Sequence, residues 1–429
     1  MSFELIIGIL TLFGSAALGL PVAFAILVGV LVYLGVAGQD LAIAGETMVQ
    51  RLFDGFLLLA IPLFIVSANI MNAGSISDRL LNFCVALVGR FRGGLGHVNV
   101  VTSLIFSGMS GSAVADAAGI GRIIIDMMRK SGGYSRGYAA AITAATATIG
   151  PIIPPAIPMF LYALVANASI ISLGLAGIIP GLFMGGVLMA INAVISNRRD
   201  FGYEAPVPLG KIPGITVRAA PALLMPVILL TGIYSGVTTP TEAAAIAALY
   251  ALIVAAGLYR ALKMKTLIEV FVESARSAAS VGLVIGASMI LTYVVIQENV
   301  PQMISALFAG AEISPLAFML LVNLLVLLLG CVLDATVIIL VIVPLFIPTC
   351  TQLGIDLVHF GVVIVVNAMI GLITPPYGIL LFVISAVTQI PLKEIIGEIW
   401  IFLAVLLFAL LAMIMFPEIV LFLPQALGY

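Results

Sequence analysis

The chain has 429 residues, of which 63% are hydrophobic and 8% charged, with a formal net charge of −2 and a mean hydropathy of +1.31. A soluble domain carries roughly a quarter of its residues as charges, so this chain cannot offer water an ordinary surface. The absence of a basic tract excludes a nucleic-acid partner as well, and the expectation is one all-α polytopic domain in a lipid bilayer.

Apolar runs long enough to cross a ~30 Å hydrocarbon layer recur from end to end. They include Leu5 to Val36, Ile170 to Ile195, Val281 to Ile296, Leu316 to Leu333 and Ile399 to Met415. Together they predict about ten to twelve spans. The first run starts at once, lacks a basic flank and continues past Pro21, so it reads as a true span rather than a cleavable signal. Asp40 to Gly55, with Glu46, Arg51 and Asp54, is too polar to span and suits an interfacial amphipathic arm. Cys84, Cys331 and Cys350 have apolar neighbours and no metal-ligand spacing, which suits packing. His97 and His359 read as loop or interface residues.

Basic residues mark the cytoplasmic side. They cluster at Arg90 and Arg92, at Arg129, Lys130 and Arg136, from Arg198 to Arg218, and from Arg260 to Arg276. Two spans, about 220–234 and 240–259, separate the last two clusters. The stretch between Arg92 and Arg129 is apolar and interrupted at Ser107-Gly-Met-Ser-Gly-Ser112. With both flanks on one side it must enter and leave by the same face, as a re-entrant hairpin over about 93–128. Two complete spans are the other reading, with arms of only about 14–17 residues. Asn197 to Pro213 is the longest polar loop and divides a first half, 1–213, from a second, 214–429. From Arg276 to Lys393 no basic residue occurs, so loops there are expected outside, as is a C-terminal tail, Pro417 to Tyr429.

The halves repeat a pattern. Ile149-Gly-Pro-Ile-Ile-Pro-Pro155 matches Ile370-Gly-Leu-Ile-Thr-Pro-Pro376. Ser112-Ala-Val-Ala-Asp-Ala-Ala118 aligns on Gly330-Cys-Val-Leu-Asp-Ala-Thr336, pairing Asp116 with Asp334. Each half thus combines a small-residue tip with a helix broken at a Pro-Pro pair. The breaks fall within about 137–166 and 359–390, and the second hairpin spans about 314–348. Only the first hairpin has basic flanks, so the two should enter from opposite faces as inverted repeats. A Pro-Pro pair removes backbone donors, and the freed carbonyls at membrane depth suit a dehydrated Na⁺. Tip hydroxyls and half-helix N-termini suit an anionic group. A carboxylate inside a bilayer costs about 2.5–3.5 kcal/mol, so Asp116 and Asp334 should be paired or functional. For Asp116, with Arg122 six residues on, a structural contact and an ion-site role both stand. Glu242, in Thr238-Thr-Pro-Thr-Glu242, reads as a helix-capping carboxylate.

At these residues the chain resembles the large membrane subunit of tripartite ATP-independent periplasmic (TRAP) transporters. The resemblance rests on Arg92-Gly-Gly-Leu-Gly-His-Val-Asn-Val100, Ser107 to Ala118, Thr148 to Pro155, Gly236 to Ala245 and Gly371 to Pro376, and covers essentially the whole chain. One departure is Ala156, where the family often has Ser. The resemblance implies a non-enzymatic, multi-pass protein of the bacterial inner membrane that works as a Na⁺-driven elevator importing an organic acid of the sialic acid or C4-dicarboxylate type. It implies two partners, a small four-helix membrane subunit and a periplasmic substrate-binding protein. The small subunit is expected as a separate chain, since no extra helices precede the first motif. Carried over, the first Na⁺ site would use Ser107, Gly111, Ser112 and Asp116 with Gly150 and Pro151. The second would use Gly330, Asp334 and Thr336 with Gly371 and Thr374. Substrate would lie near Ser110, Ser112, Asp334 and Thr374. A stand-alone sodium:dicarboxylate symporter of similar architecture is the competing function.

Overall fold

The computed structural model describes residues 2–429 except 55, 75, 206, 311 and 312, and the described residues form helices and turns without a strand. Phe3–Ala17 and Val22–Val36 pack on each other through glycines: a Cβ on Gly29 would stand 2.8 Å from the Gly8 carbonyl oxygen. Small residues let membrane helices approach this closely. The arm expected from Asp40 is the helix Ala42–Asp54, with Gly55 outside the described residues, and it packs along the long helix Met264–Gln297.

Five described helices are by themselves long and apolar enough to cross a membrane: Ile170–Arg199, Ile212–Tyr234, Pro240–Leu258, Met264–Gln297 and Leu392–Met415. Most of the other apolar segments are helices of 10–17 residues. Fifteen residues rise only about 22 Å, so these helices are by themselves too short to cross a ~30 Å hydrocarbon layer. Two helical hairpins and two broken helices lie at the centre. The first hairpin runs out along Gly94–Ser110, turns at Gly111 and Ser112, and returns through Ala113–Asp116 and Arg122–Ser131, with a π-helical turn at Ala117–Gly121. The second runs out along Pro315–Gly330 and returns from Ala335, with a π-helical turn at Ile338–Ile342. The broken helices are Arg136–Ala147 with Ile157–Ala166, and Leu357–Gly371 with Ile379–Thr388.

The backbone shifts the register of the repeat. Ser112 opens the first return arm as its N-cap, and Asp334 opens the second in the same extended conformation. Ser112 precedes Gly150 by 38 residues and Asp334 precedes Gly371 by 37, whereas Asp116 precedes Gly150 by 34. The two aspartates are therefore not counterparts, and the expected pairing of Asp116 with Asp334 is replaced by Ser112 with Asp334. The ungapped sequence match failed because the second turn, 331–334, is longer than the first.

The halves interlock. Ile157–Ala166 packs on the return arm of the second hairpin, and Ile379–Thr388 packs on that of the first. Helix 136–147 lies against Leu392–Met415, where a Cβ on Gly137 would stand 2.4 Å from the Glu394 carbonyl oxygen. One large apolar core surrounds hairpins and broken helices, while a smaller one joins the first two helices to the far end of Met264–Gln297. The tail expected after Pro417 is a helix, Glu418–Ala426, packed on Ile170–Arg199.

Residues 90 and 131 flank the first hairpin, and the native cysteines are buried. Arg90→Cys and Ser131→Cys are expected to react with a membrane-impermeant maleimide from the same face. Reaction from opposite faces would mean two complete spans.

Candidate functional site

In the first break, Pro151, Pro154, Pro155 and Pro158 lack an N–H, so the carbonyls one turn earlier lose their helical donors. Ala147 O is re-used by Gly150 N at 3.2 Å, but among the described residues no backbone N–H reaches the carbonyls of Gly150, Pro151 or Pro154. The second break is different. Gly371 O accepts from Thr374 N at 3.0 Å, and Leu372 O accepts from Leu380 N at 3.0 Å. The Thr374 hydroxyl donates to Ile370 O at 2.8 Å. The two breaks share a Pro-Pro pair, cis in both, but only the second pairs the carbonyls of the break glycine and the residue after it.

Each hairpin tip touches the break of its own half. Gly111 has φ +60, and a Cβ there would stand 2.3 Å from Pro155 O, so only glycine fits. At the second tip the contact is glycine on glycine: a Cβ on Gly371 would stand 2.7 Å from Gly330 Cα. Gly378 N also donates to Cys331 O at 3.2 Å.

Asp116 lies at the centre of the first contact, 2% exposed. Its Oδ1 accepts from the Ser110 hydroxyl, and its Oδ2 is buried with no hydrogen-bond partner. Gly150 faces that free oxygen so closely that a Cβ would stand 2.3 Å from it. Among the described residues no ion pair includes Asp116, so the contact with Arg122 is not made. Gly111, Gly150 and Pro151 are buried beside it, Ser112 caps the return arm through Ala115 N at 3.3 Å, and Ser107 donates to Leu104 O at 2.6 Å. The Ser110 hydroxyl, the Asp116 carboxylate and the open carbonyls of the adjacent break are all oxygen groups, the ligand type a hard cation takes. No group of three or more His, Cys, Asp or Glu among the described residues could hold a transition metal.

The second tip gathers Gly330 and Gly371 but presents its acid outward. Asp334 is exposed and accepts from Thr336 N at 2.8 Å, capping the return arm. Thr374 is half-buried at its own break. Of the four residues expected around substrate, Ser110 therefore belongs with Asp116, while Ser112, Asp334 and Thr374 are partly or fully open. No described hydrogen bond joins Asp334 or Thr374 to the first tip.

Sequence reasoning missed a second polar layer. Asn99 donates to Thr143 Oγ1 at 2.6 Å and accepts from Thr146 at 3.0 Å, tying the first hairpin to the first broken helix. Asn367 donates to Asn323 O at 2.6 Å and to its Oδ1 at 2.8 Å, tying the second pair likewise. Buried polar groups in lipid need such partners. A signal was available: Thr146 and Asn367 each stand four residues before the break glycine. Glu242 forms a capping box with Thr239, as its position predicted. The two histidines correct their expectation: both are buried, and His359 Nε2 contacts Met413 O at 2.8 Å across helices.

The DctM component of the tripartite ATP-independent periplasmic transporters matches residues 9–419. The sialic acid TRAP transporter large permease protein SiaM of Vibrio cholerae is 38% identical over 96% of both chains. The C4-dicarboxylate TRAP transporter large permease protein DctM of Pseudomonas aeruginosa is 37% identical over 89% of this chain and 90% of its own. The 2,3-diketo-L-gulonate TRAP transporter large permease protein YiaN of Escherichia coli is 35% identical over 95% and 96%. Among solved structures, the Alcanivorax borkumensis YdaH transporter superposes with a TM-score of 0.61 over 87% of this chain and 86% of that one, at 16% identity, a likeness of fold alone. Broken helices, hairpins packed against them and 37–38% identity over most of the chain agree: this chain is a multi-pass inner-membrane protein, a TRAP transporter large permease of the DctM family.

Proposed function

We propose that this permease imports an organic acid of the sialic acid or C4-dicarboxylate type, coupled to Na⁺. It does so with a small four-helix membrane subunit and with a periplasmic binding protein that delivers the acid. The observation that carries the reading is the free, buried Asp116 carboxylate oxygen beside the open first break. A carboxylate without a counter-charge at membrane depth is costly, and a cation among those oxygens offsets that cost. The relatives named for sialic acid and C4-dicarboxylates support the substrate class. The interlocked hairpins and broken helices suit movement as one body past the remaining helices, in the manner of an elevator. The exposed Asp334 and the half-buried Ser112 and Thr374 are where substrate would meet the tips.

Reconstitution tests this reading. Purified permease with its small subunit, in proteoliposomes, is expected to take up labelled sialic acid or succinate only with an inward Na⁺ gradient and the cognate binding protein present. Equal uptake by this chain alone would instead indicate a stand-alone sodium:dicarboxylate symporter.

Asp334 allows a finer test, because Asn caps a helix as well as Asp does but carries no charge. Asp334→Asn is expected to lose uptake while melting normally, and Asp334→Ala to lose both uptake and about 0.5–2 kcal/mol of stability. Normal uptake by Asp334→Asn would reduce the residue to a cap.

A further inference from the structure

We infer that an anionic phospholipid binds in a cavity between the interfacial arm and the second hairpin, held at its headgroup by Arg51. The cavity has a volume of about 570 Å³. One wall is the arm and the far end of Met264–Gln297, which supply Arg51 and Tyr293. The other is the second segment of the first broken helix and the return arm of the second hairpin, which supply Val165, Val341 and Pro344. It therefore opens at the seam between the interlocked core and the helices around it.

The walls select the ligand. Most lining side chains are aliphatic, proline or aromatic, and Arg51 is the one charged group among the residues that line the cavity. Its guanidinium is exposed and forms no ion pair with a described side chain. The second hairpin and the helix end belong to a stretch, 277–392, that contains no Lys or Arg. Arg51 thus places a lone cation on the face of the protein that otherwise avoids them. An apolar slot with a guanidinium at an interfacial helix matches acyl chains below a phosphate, and arginine pairs with phosphate in bidentate fashion. A soluble organic acid would match the cation but not the aliphatic walls. A transmembrane helix of a partner subunit would match the walls but offers nothing specific to the guanidinium. Because the cavity borders both bodies, a lipid seated there lines the surface along which they would move.

The experiment uses the permease with its small subunit in phosphatidylcholine nanodiscs doped with phosphatidylglycerol or phosphatidylethanolamine. A photoactivatable phosphatidylglycerol is expected to label the peptides containing Tyr293 and Val341, with competition by unlabelled phosphatidylglycerol and much less by phosphatidylethanolamine. Arg51→Gln should reduce that headgroup preference roughly fivefold, the scale of one arginine at an anionic surface. Because Arg51 is exposed, this variant keeps the fold, and unchanged melting checks it. Val341→Trp, which fills the slot, should remove the labelling altogether. Equal labelling by both lipids, a preference unchanged in Arg51→Gln, or a cross-link from Val341→Cys to the small subunit would each overturn the assignment.

Discussion

Asp116→Asn is expected to abolish Na⁺ activation of uptake and, without Na⁺, to melt at a higher temperature than the parent protein. The two effects have one cause. In the parent, a buried carboxyl group has a single donor, Ser110, and an oxygen with none. Asparagine keeps the shape and can still accept from Ser110, but removes the charge that low dielectric penalises. If the group were structural, neutralising it would be free of functional cost. If it serves a cation, the open carbonyls of Gly150, Pro151 and Pro154 are left without the one anionic ligand near them. Loss of a contact that shapes an ion site weakens binding on the order of 10–100-fold. The measurement is uptake against Na⁺ concentration, paired with thermal melting with and without Na⁺. Unchanged Na⁺ activation would remove Asp116 from the site, whatever the melting curve shows.

Much of this arrangement was legible in the sequence, for identifiable reasons. The breaks could be placed because proline acts locally: Pro154-Pro155 and Pro375-Pro376 remove donors whatever surrounds them. The tips could be placed because glycine and serine interrupt an apolar run that nothing else would interrupt. Glu242 was legible because a capping box is complete within four residues. What could not be read depended on partners distant in sequence. Asn99 and Asn367 look like isolated polar residues until Thr146 and Asn323 are beside them. The correspondence of Ser112 with Asp334 depends on the length of a turn, to which an ungapped match is blind. The difference between the breaks is likewise tertiary. Leu380 N turns back to Leu372 O in the second, and nothing equivalent closes the first.

Two glycine substitutions should separate what holds the tips in place from what binds there. Gly371→Ala would put a Cβ 2.7 Å from Gly330 Cα and 2.8 Å from Gly330 C. Both neighbours are backbone, so the second hairpin tip must withdraw from its break. We expect a loss of about 1–3 kcal/mol, the scale of overpacking a close contact, with uptake lost as well. Gly150→Ala meets a side chain instead: its Cβ would stand 2.3 Å from Asp116 Oδ2, and a carboxylate can rotate away where a backbone cannot. That variant should melt close to the parent yet lose Na⁺ activation as Asp116→Asn does, because the free oxygen is displaced from its place against Gly150. Native melting and uptake in Gly371→Ala would mean that the second tip is not held against its helix. A normal Na⁺ response in Gly150→Ala would mean that the carboxylate acts from another position. The opposed outcomes follow from one difference, that Gly150 meets a side chain of the first hairpin and Gly371 the bare backbone of the second.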